Sequence, residues 1–346
     1  MRALVLNGHG GVEQLSIRDD LAVPELDGPH AVRLRMSAVA LNRLDLFVMA
    51  GWPGLTLTPD WVPVADGTGT VDAIGSAVTR VRVGDTVVMN PGVSCRECAF
   101  CRAEQQPLCL SYQILGEDRT GSAAEYVVVP EFGLEAVSPD ISEAERAGFG
   151  LATLTAYRMV VGKAQVQAGE QVLIWGIGGG VALAALQLAK ARGATVWVTS
   201  SDPAKLARAT ALGADHALNH ATEDVPRLIR AATGKRGVDV VIDSVGTATW
   251  TRSLHALGRG GRLVTCGGTS GPMVETDVRR LFMNQWTISG STMGSESEWA
   301  AVAAAFRAGG LRPPVDSVFP LSRAGEAYTR LLTGQQFGKV VLRMDG

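Results

Sequence analysis

The sequence lacks what would commit a chain to a membrane or to nucleic acid. No apolar run approaches the roughly 20 residues needed to cross a bilayer; the longest lies around residues 181–186. Neither sign of charge dominates, since 32 Lys and Arg against 34 Asp and Glu leave a net charge of −2. No run of lysine and arginine builds a local basic patch, so no nucleic-acid partner is expected. The start, Met1-Arg2-Ala3-Leu4-Val5-Leu6-Asn7, is too briefly apolar for a signal peptide and reads as a first strand. Internal repeats and low-complexity segments are missing too. The expectation is a cytoplasmic protein that acts on a small molecule.

Cysteine is scarce, but four of the five fall within fifteen residues: Cys95, Cys98, Cys101 and Cys109. Two successive Cys-x2-Cys spacings and a fourth cysteine let one short loop wrap a tetrahedral ion. An all-sulfur shell is closed, so it suits one structural zinc and leaves no position for a substrate. Two disulfides are the alternative, but nothing else in the sequence points to an oxidising compartment. The fifth, Cys266, ends an apolar run and reads as a small packed hydrophobe.

A chain of 346 residues is long for one core and comfortable for two domains. Residues 1 to about 128 show short strands punctuated by Gly and Pro, which suggests an antiparallel barrel or sandwich. From about 143 apolar runs alternate with helical periodicities, as in βαβ units on a parallel sheet. The stretch 296–346 returns to a helix, a loop and a last strand that could close back onto the first domain. The predicted fold is α/β. A barrel domain of residues 1–128 and 297–346 encloses a doubly wound parallel-sheet domain of residues 129–296.

Within the second domain, the run Gln171 to Gly176 enters Gly176-Ile177-Gly178-Gly179-Gly180-Val181-Ala182 and then a helix. Glycines permit a tight strand-to-helix turn and close approach of a pyrophosphate, which the helix N-terminus favours. The strand-before, helix-after context makes Gly176, Gly179, Gly180 and Val181 candidate dinucleotide contacts. The next strand, 195–199, ends in Ser200-Ser201 instead of an acid. Asp202 directly precedes Pro203 and so reads as a helix N-cap, not a ribose ligand. Ser200 and Lys205 fit a 2′-phosphate, which favours NADPH over NADH.

At this point the chain resembles the medium-chain dehydrogenase/reductase superfamily over nearly its whole length. The resemblance rests on the cysteine lobe, Gly84-Asp85-Thr86-Val87-Val88, Leu154-Thr155-Ala156-Tyr157, the glycine loop, Ala211-Leu212-Gly213-Ala214-Asp215, residues 238–246 and Gly260-Gly261-Arg262-Leu263-Val264. It implies a GroES-like barrel, a Rossmann domain and a substrate cleft. It also implies a homodimer or homotetramer, because strands near residues 286–293 pair across a subunit interface in relatives. Arg43, Thr155, Gly246 and Lys339 match family positions near the cofactor, Lys339 near its phosphates.

The chain departs from the alcohol dehydrogenases of that superfamily where they hold a catalytic zinc. The ligand positions fall on Asn42, Ala65 with Asp66, and Leu151, and the proton-relay hydroxyl falls on Leu44. Catalytic zinc needs about three good protein ligands, and the five histidines, at 9, 30, 216, 220 and 255, lie away from these motifs. Asn42 through Asp45 and Ala65 through Gly67 resemble the quinone oxidoreductase and enoyl reductase branch instead. Asn42, Asp45 and Asp66 become the candidate catalytic residues. Without a Lewis acid, conjugated acceptors are the accessible ones. Hydride can add to the β-carbon of an enone, quinone or enoyl thioester while hydrogen-bond donors hold the enolate oxygen. An alcohol or carbonyl dehydrogenase, a C=N reductase and an NADPH-binding sensor stay open as alternatives.

Overall fold

The computed structural model describes residues 1–52 and 54–344. It divides into two compact units, Met1–Leu154 with Met293–Gly346, and Thr155–Thr292. This corrects the predicted boundaries: residues 129–154 and 293–296 belong to the first unit. The reason is strand pairing. The strand Tyr126–Pro130 runs antiparallel to Ala31–Leu41, and Leu134–Ala136 runs antiparallel to Thr86–Met89. The segment after residue 128 therefore completes the first unit's sheet instead of opening the second.

The first unit is built on a seven-stranded sheet. Its order is Val315–Pro320, Lys339–Arg343, Ala31–Leu41, Asp66–Ile74, Thr86–Met89 and Leu134–Ala136, with Tyr126–Pro130 also on the Ala31–Leu41 strand. The first pair is parallel and the others antiparallel. One face buries Leu34, Leu41, Val71, Val87 and Met89 in the core with Tyr328. On the other side Ala38 and Ala40 pack with Ala147 and Val341, where small side chains let the Glu143–Ala147 helix approach. The last strand does close back onto this unit, with Val340 opposite Leu41 and Val341 opposite Ala40. Asp66 lies opposite Ala40. Register alone thus brings Asn42, Asp66 and Lys339 to one end of the sheet.

The second unit is a six-stranded, wholly parallel sheet. Its order is His216–Asn219, Thr195–Ser200, Gln171–Ile174, Val238–Asp243, Leu257–Thr265 and Thr287–Gly290. Numbered along the chain this is 3-2-1-4-5-6, the doubly wound order, with its reversal between the first and fourth strands. Val172, Leu173 and Ile174 are wholly buried, as expected of a parallel strand covered on both faces. Among the described residues no helix is long and apolar enough to cross a membrane.

Candidate functional site

The three strand ends of the first unit converge on a buried polar cluster. Lys339 Nζ donates to Asn42 Oδ1 at 2.5 Å and to Asp66 Oδ2 at 3.0 Å. Asn42 Nδ2 donates to Asp66 Oδ2 at 3.0 Å and to Ala40 O at 3.3 Å. The Leu151 N–H donates to Asp66 Oδ1 at 2.6 Å. Asp66 is fully buried, while Lys339 and Asn42 keep 3% and 7% of their surface exposed. The cluster is therefore almost wholly withdrawn from solvent. Two glycines make room for it. A β-carbon at Gly150 would lie 2.6 Å from Asp66 Oδ1, and one at Gly148 would lie 2.8 Å from Lys339 Cγ.

Asp45 stands one helical turn away, in the Arg43–Ala50 helix, and its Oδ2 accepts the Asn42 N–H at 2.6 Å. Burial pushes its carboxyl up to about 7, against the pull of the Asn42 N–H and the Lys339 charge. The Tyr328 phenol is held well above its usual range by burial and then by Asp45. Its hydroxyl is buried with no hydrogen-bond partner. Arg43, at the start of the same helix, lies half-buried, and burial lowers its pKa.

All three positions that resemble catalytic zinc ligands touch this ion pair, but the donor set does not fit a metal. Leu151 offers only a backbone N–H, Ala65 offers no ligand atom, and Asn42 Oδ1 and Asp66 Oδ2 are both turned to the Lys339 ammonium. A divalent ion there would meet a fixed positive charge and too few ligands. Lys339, expected near the cofactor phosphates, is instead committed to Asn42 and Asp66. The sequence hid this because the partners lie 297 and 273 residues apart. Asn42, one of the candidate catalytic residues, has both amide hydrogens engaged within the protein, by Asp66 Oδ2 and Ala40 O.

The thiol cluster fits an ion well. The four sulfurs of Cys95, Cys98, Cys101 and Cys109 all lie within 4.8 Å of one another. Three of the separations are 3.4, 3.5 and 3.9 Å, far beyond a disulfide bond. They match the edge of a tetrahedron with Zn–S bonds of about 2.3 Å, roughly 3.8 Å. The backbone N–H of Cys98 points at Cys95 Sγ and that of Cys95 at Cys109 Sγ. The N–H groups of Glu97 and Cys98 lower the Cys95 thiol to about 7, and burial pushes Cys101 up to about 12. Cys266 lies outside the cluster, with its thiol pushed up to about 12 by burial.

In the second unit, the glycine loop sits at the carboxyl end of the strand where the order reverses. Gly176 has φ +69° and Gly178 φ +133°, a backbone that other residues adopt only with strain. Gly179 caps the Gly180–Ala191 helix, and a β-carbon on it would meet no protein atom within 4 Å. That open helix N-terminus fits a pyrophosphate, with Gly180 and Val181 in its first turn. Ala182 is buried, as its packing position requires. Gly246 has φ +87°, and a β-carbon there would lie 2.4 Å from Gly271 O. Asp243, not singled out from the sequence, pins this turn: it accepts the N–H groups of Val245 and Gly246 and the hydroxyls of Thr249 and Ser253. Asp202 is the N-cap of the Pro203–Ala211 helix, accepting from the Ala204 N–H at 2.8 Å. Ser200 ends its strand largely buried, and its hydroxyl accepts the Asp202 N–H. Lys205 lies on the following helix, and Thr155 is buried in the helix Gly150–Tyr157.

The sequence matches the alcohol dehydrogenase GroES-like domain over residues 28–139 and the zinc-binding dehydrogenase family over residues 180–308. A zinc-type alcohol dehydrogenase-like protein of Schizosaccharomyces pombe is 31% identical over 356 residues, covering 100% of this chain and 99% of that protein. This chain is a medium-chain dehydrogenase/reductase. Human quinone oxidoreductase is 27% identical to it over 99% of this chain and 97% of its own length. Among solved structures, an NAD-dependent alcohol dehydrogenase superposes with a TM-score of 0.94 at 43% identity, covering 100% of both chains. A thermostable alcohol dehydrogenase from Pyrobaculum aerophilum, solved with cobalt and zinc bound, gives 0.89 at 31% identity over 99% of both. As a medium-chain dehydrogenase/reductase, the protein is an oxidoreductase with a GroES-like and a Rossmann-like unit.

Two outcomes follow from this geometry. Cys98→Ser removes one of four thiolates, so zinc content measured by mass spectrometry should fall from one per chain towards zero. An unchanged content would place the zinc elsewhere. Asp45 holds a proton in the folded chain that the unfolded chain, near its ordinary 3.8, releases. Its contribution to stability is full below about pH 4 and is lost as pH rises through about 7. Asp45→Asn should therefore gain on the parent protein in urea unfolding at pH 8 relative to pH 5. Equal differences at both pH values would show that Asp45 does not titrate there.

Proposed function

We propose that this medium-chain dehydrogenase/reductase transfers hydride from NADPH to an activated C=C acceptor, an enone, quinone or enoyl thioester, without a catalytic metal. The observation that carries the reading is the Lys339 ammonium set between Asn42 Oδ1 and Asp66 Oδ2. A cation already fills the only donor set at the metal-ligand positions. When bound, the nicotinamide supplies the hydride. The protein supplies binding at the glycine loop, orientation of the reactants and hydrogen-bond donors for a developing oxyanion. A conjugated acceptor spreads its negative charge and needs less than the Lewis acid that an unactivated alcohol or carbonyl requires.

NADPH is favoured by what the second strand's end provides. Asp202 caps its own helix, its Oδ1 accepting the Ala204 N–H, and the strand itself ends in Ser200 and Ser201 with no acid at the position that holds the ribose hydroxyls in NAD enzymes. Ser200 and Lys205 are of the kind that hold that phosphate. The 43% identical structure is that of an NAD-dependent alcohol dehydrogenase, which makes the alternative outcome concrete. NADPH oxidation should proceed with quinones and enones and not with simple aldehydes. Zinc-dependent alcohol oxidation with NAD would overturn the reading. Ser200→Asp should shift the ratio of NADPH to NADH dissociation constants towards NADH by roughly tenfold, ~1.4 kcal/mol. An unmoved ratio would remove the ribose pocket from this strand end.

A homo-oligomer, dimer or tetramer, belongs to the same proposal. Thr287–Gly290 is the last strand of the parallel sheet, and an open strand edge invites pairing. Beside it in sequence Val278, Phe282 and Met283 are 65%, 61% and 68% exposed, a patch suited to a second copy of the chain. Light scattering should show a dimer or tetramer that Phe282→Glu weakens. A monomeric parent protein would contradict this.

A further inference from the structure

The turn after the strand Thr195–Ser200 is held from two sides, and both holds lie inside the second unit. On one side Thr199, wholly buried, is tied to the glycine loop. Its Oγ1 accepts the Gly176 N–H at 3.2 Å and its carbonyl oxygen accepts the Ile177 N–H at 2.8 Å. On the other side stands Asn219, the last residue of the strand His216–Asn219, paired in register with Ser200. Its Nδ2 donates to Ser201 O at 3.3 Å, and the following N–H, of His220, donates to Ser200 O at 3.2 Å. Asn219 Oδ1 accepts the Ala221 N–H at 3.0 Å, which fixes the amide with its donor end towards Ser201.

The loop after Asn219 is braced back to the glycine loop in turn. The Asn219 N–H donates to Glu223 Oε2 at 2.5 Å. Arg252 donates to His220 O at 3.1 Å and to Glu223 O at 3.3 Å. Its guanidinium lies 5.0 Å from the ring centre of Trp175, the residue before Gly176. The contacts close a ring that runs from the glycine loop through the Ser200–Ser201 turn, Asn219 and Arg252 back to Trp175. Such a ring fixes a turn without burying it. The two serines in it differ: Ser200 is 6% exposed and its hydroxyl accepts the Asp202 N–H, whereas Ser201 is exposed.

We propose that the Ser201 hydroxyl donates to the cofactor's 2′-phosphate and that Asn219 is the residue that positions it, which makes Asn219 a determinant of NADPH over NADH. The proposal rests on the NADPH reading above and goes past it by assigning the exposed neighbour of Ser200 and the side chain that holds it. A hydrogen bond to a charged oxygen is stronger than one between neutral groups. Part of that strength is lost when the donor must first be ordered on binding. With Asn219 Nδ2 on Ser201 O and Thr199 on the glycine loop, the turn is ordered when the chain folds. NADH carries a plain hydroxyl where NADPH carries the phosphate, so it gains less from the same donor. The fixed turn therefore separates the two cofactors instead of binding both more tightly.

The test is a double-mutant cycle of Ser201→Ala, Asn219→Ala and the two together. Dissociation constants for NADPH and NADH are measured by isothermal titration calorimetry on the whole chain, so no turnover is needed. Ser201→Ala should weaken NADPH by at least about tenfold, as for a lost hydrogen bond to a charged group, and should leave NADH within about twofold. Asn219→Ala should also weaken NADPH and spare NADH, and the spared NADH shows that the unit is still folded. The double variant should match Ser201→Ala within about twofold, because Asn219 acts through the serine. Losses that multiply in the double variant would make Asn219 an independent group and overturn its positioning role. Equal loss of both cofactors in Asn219→Ala would make the residue structural and do the same. A parent protein that prefers NADPH and keeps that preference in Ser201→Ala sinks the proposal and leaves the cofactor reading standing. A parent protein that binds NADH more tightly than NADPH sinks the cofactor reading, and the proposal with it.

Discussion

The ion pair between Lys339 and Asp66 is the constraint around which the first unit is arranged. Its two charges are almost wholly out of water, at 3% and 0% side-chain exposure. Such a pair is a poor source of stability, since desolvation offsets most of its attraction, but losing one partner costs about 3–5 kcal/mol. The surroundings answer that asymmetry. The Leu151 N–H satisfies Asp66 Oδ1, the Asn42 amide donates to Asp66 Oδ2 and accepts from Lys339, and glycine at 148 and 150 removes the β-carbons that would collide with the pair. Three strands meet there in a register that fixes all the partners at once.

Among the described residues, the side chains grouped so that they could hold a metal ion are the four thiols of the cysteine lobe. A closed sulfur shell has no vacancy for a substrate, so a zinc ion held there would shape a loop. The second unit contributes turns with positive φ at Gly176 and Gly246, the latter with no room for a β-carbon, and Asp243 accepts the N–H groups of Val245 and Gly246 there.

Much of this was legible in the sequence because it depends on local spacing. The Cys-x2-Cys pairs, the glycine loop and the Asp202-Pro203 helix start all act within a few residues, and the βαβ periodicity announces a parallel sheet. What escaped depends on chain segments far apart. Nothing near residue 339 says that its side chain meets residues 42 and 66, because that contact is created by antiparallel pairing of the first long strand with the last. The domain boundary slipped for a similar reason. The texture changes near residue 143, but residues 126–136 supply two strands to the earlier sheet, and strand partners cannot be read from composition. Asp45, Asp66 and Asn42 were found as candidates through the resemblance, whereas the division of labour among them required the hydrogen-bond count.

The central claim is that an ammonium stands where relatives place a metal. Diffraction data collected on either side of the zinc absorption edge test it most directly. The account expects one anomalous peak per chain, at the centre of Cys95, Cys98, Cys101 and Cys109, with Lys339 Nζ in ordinary density beside Asn42 and Asp66. A second anomalous peak touching Asp66, with the lysine displaced, would contradict it.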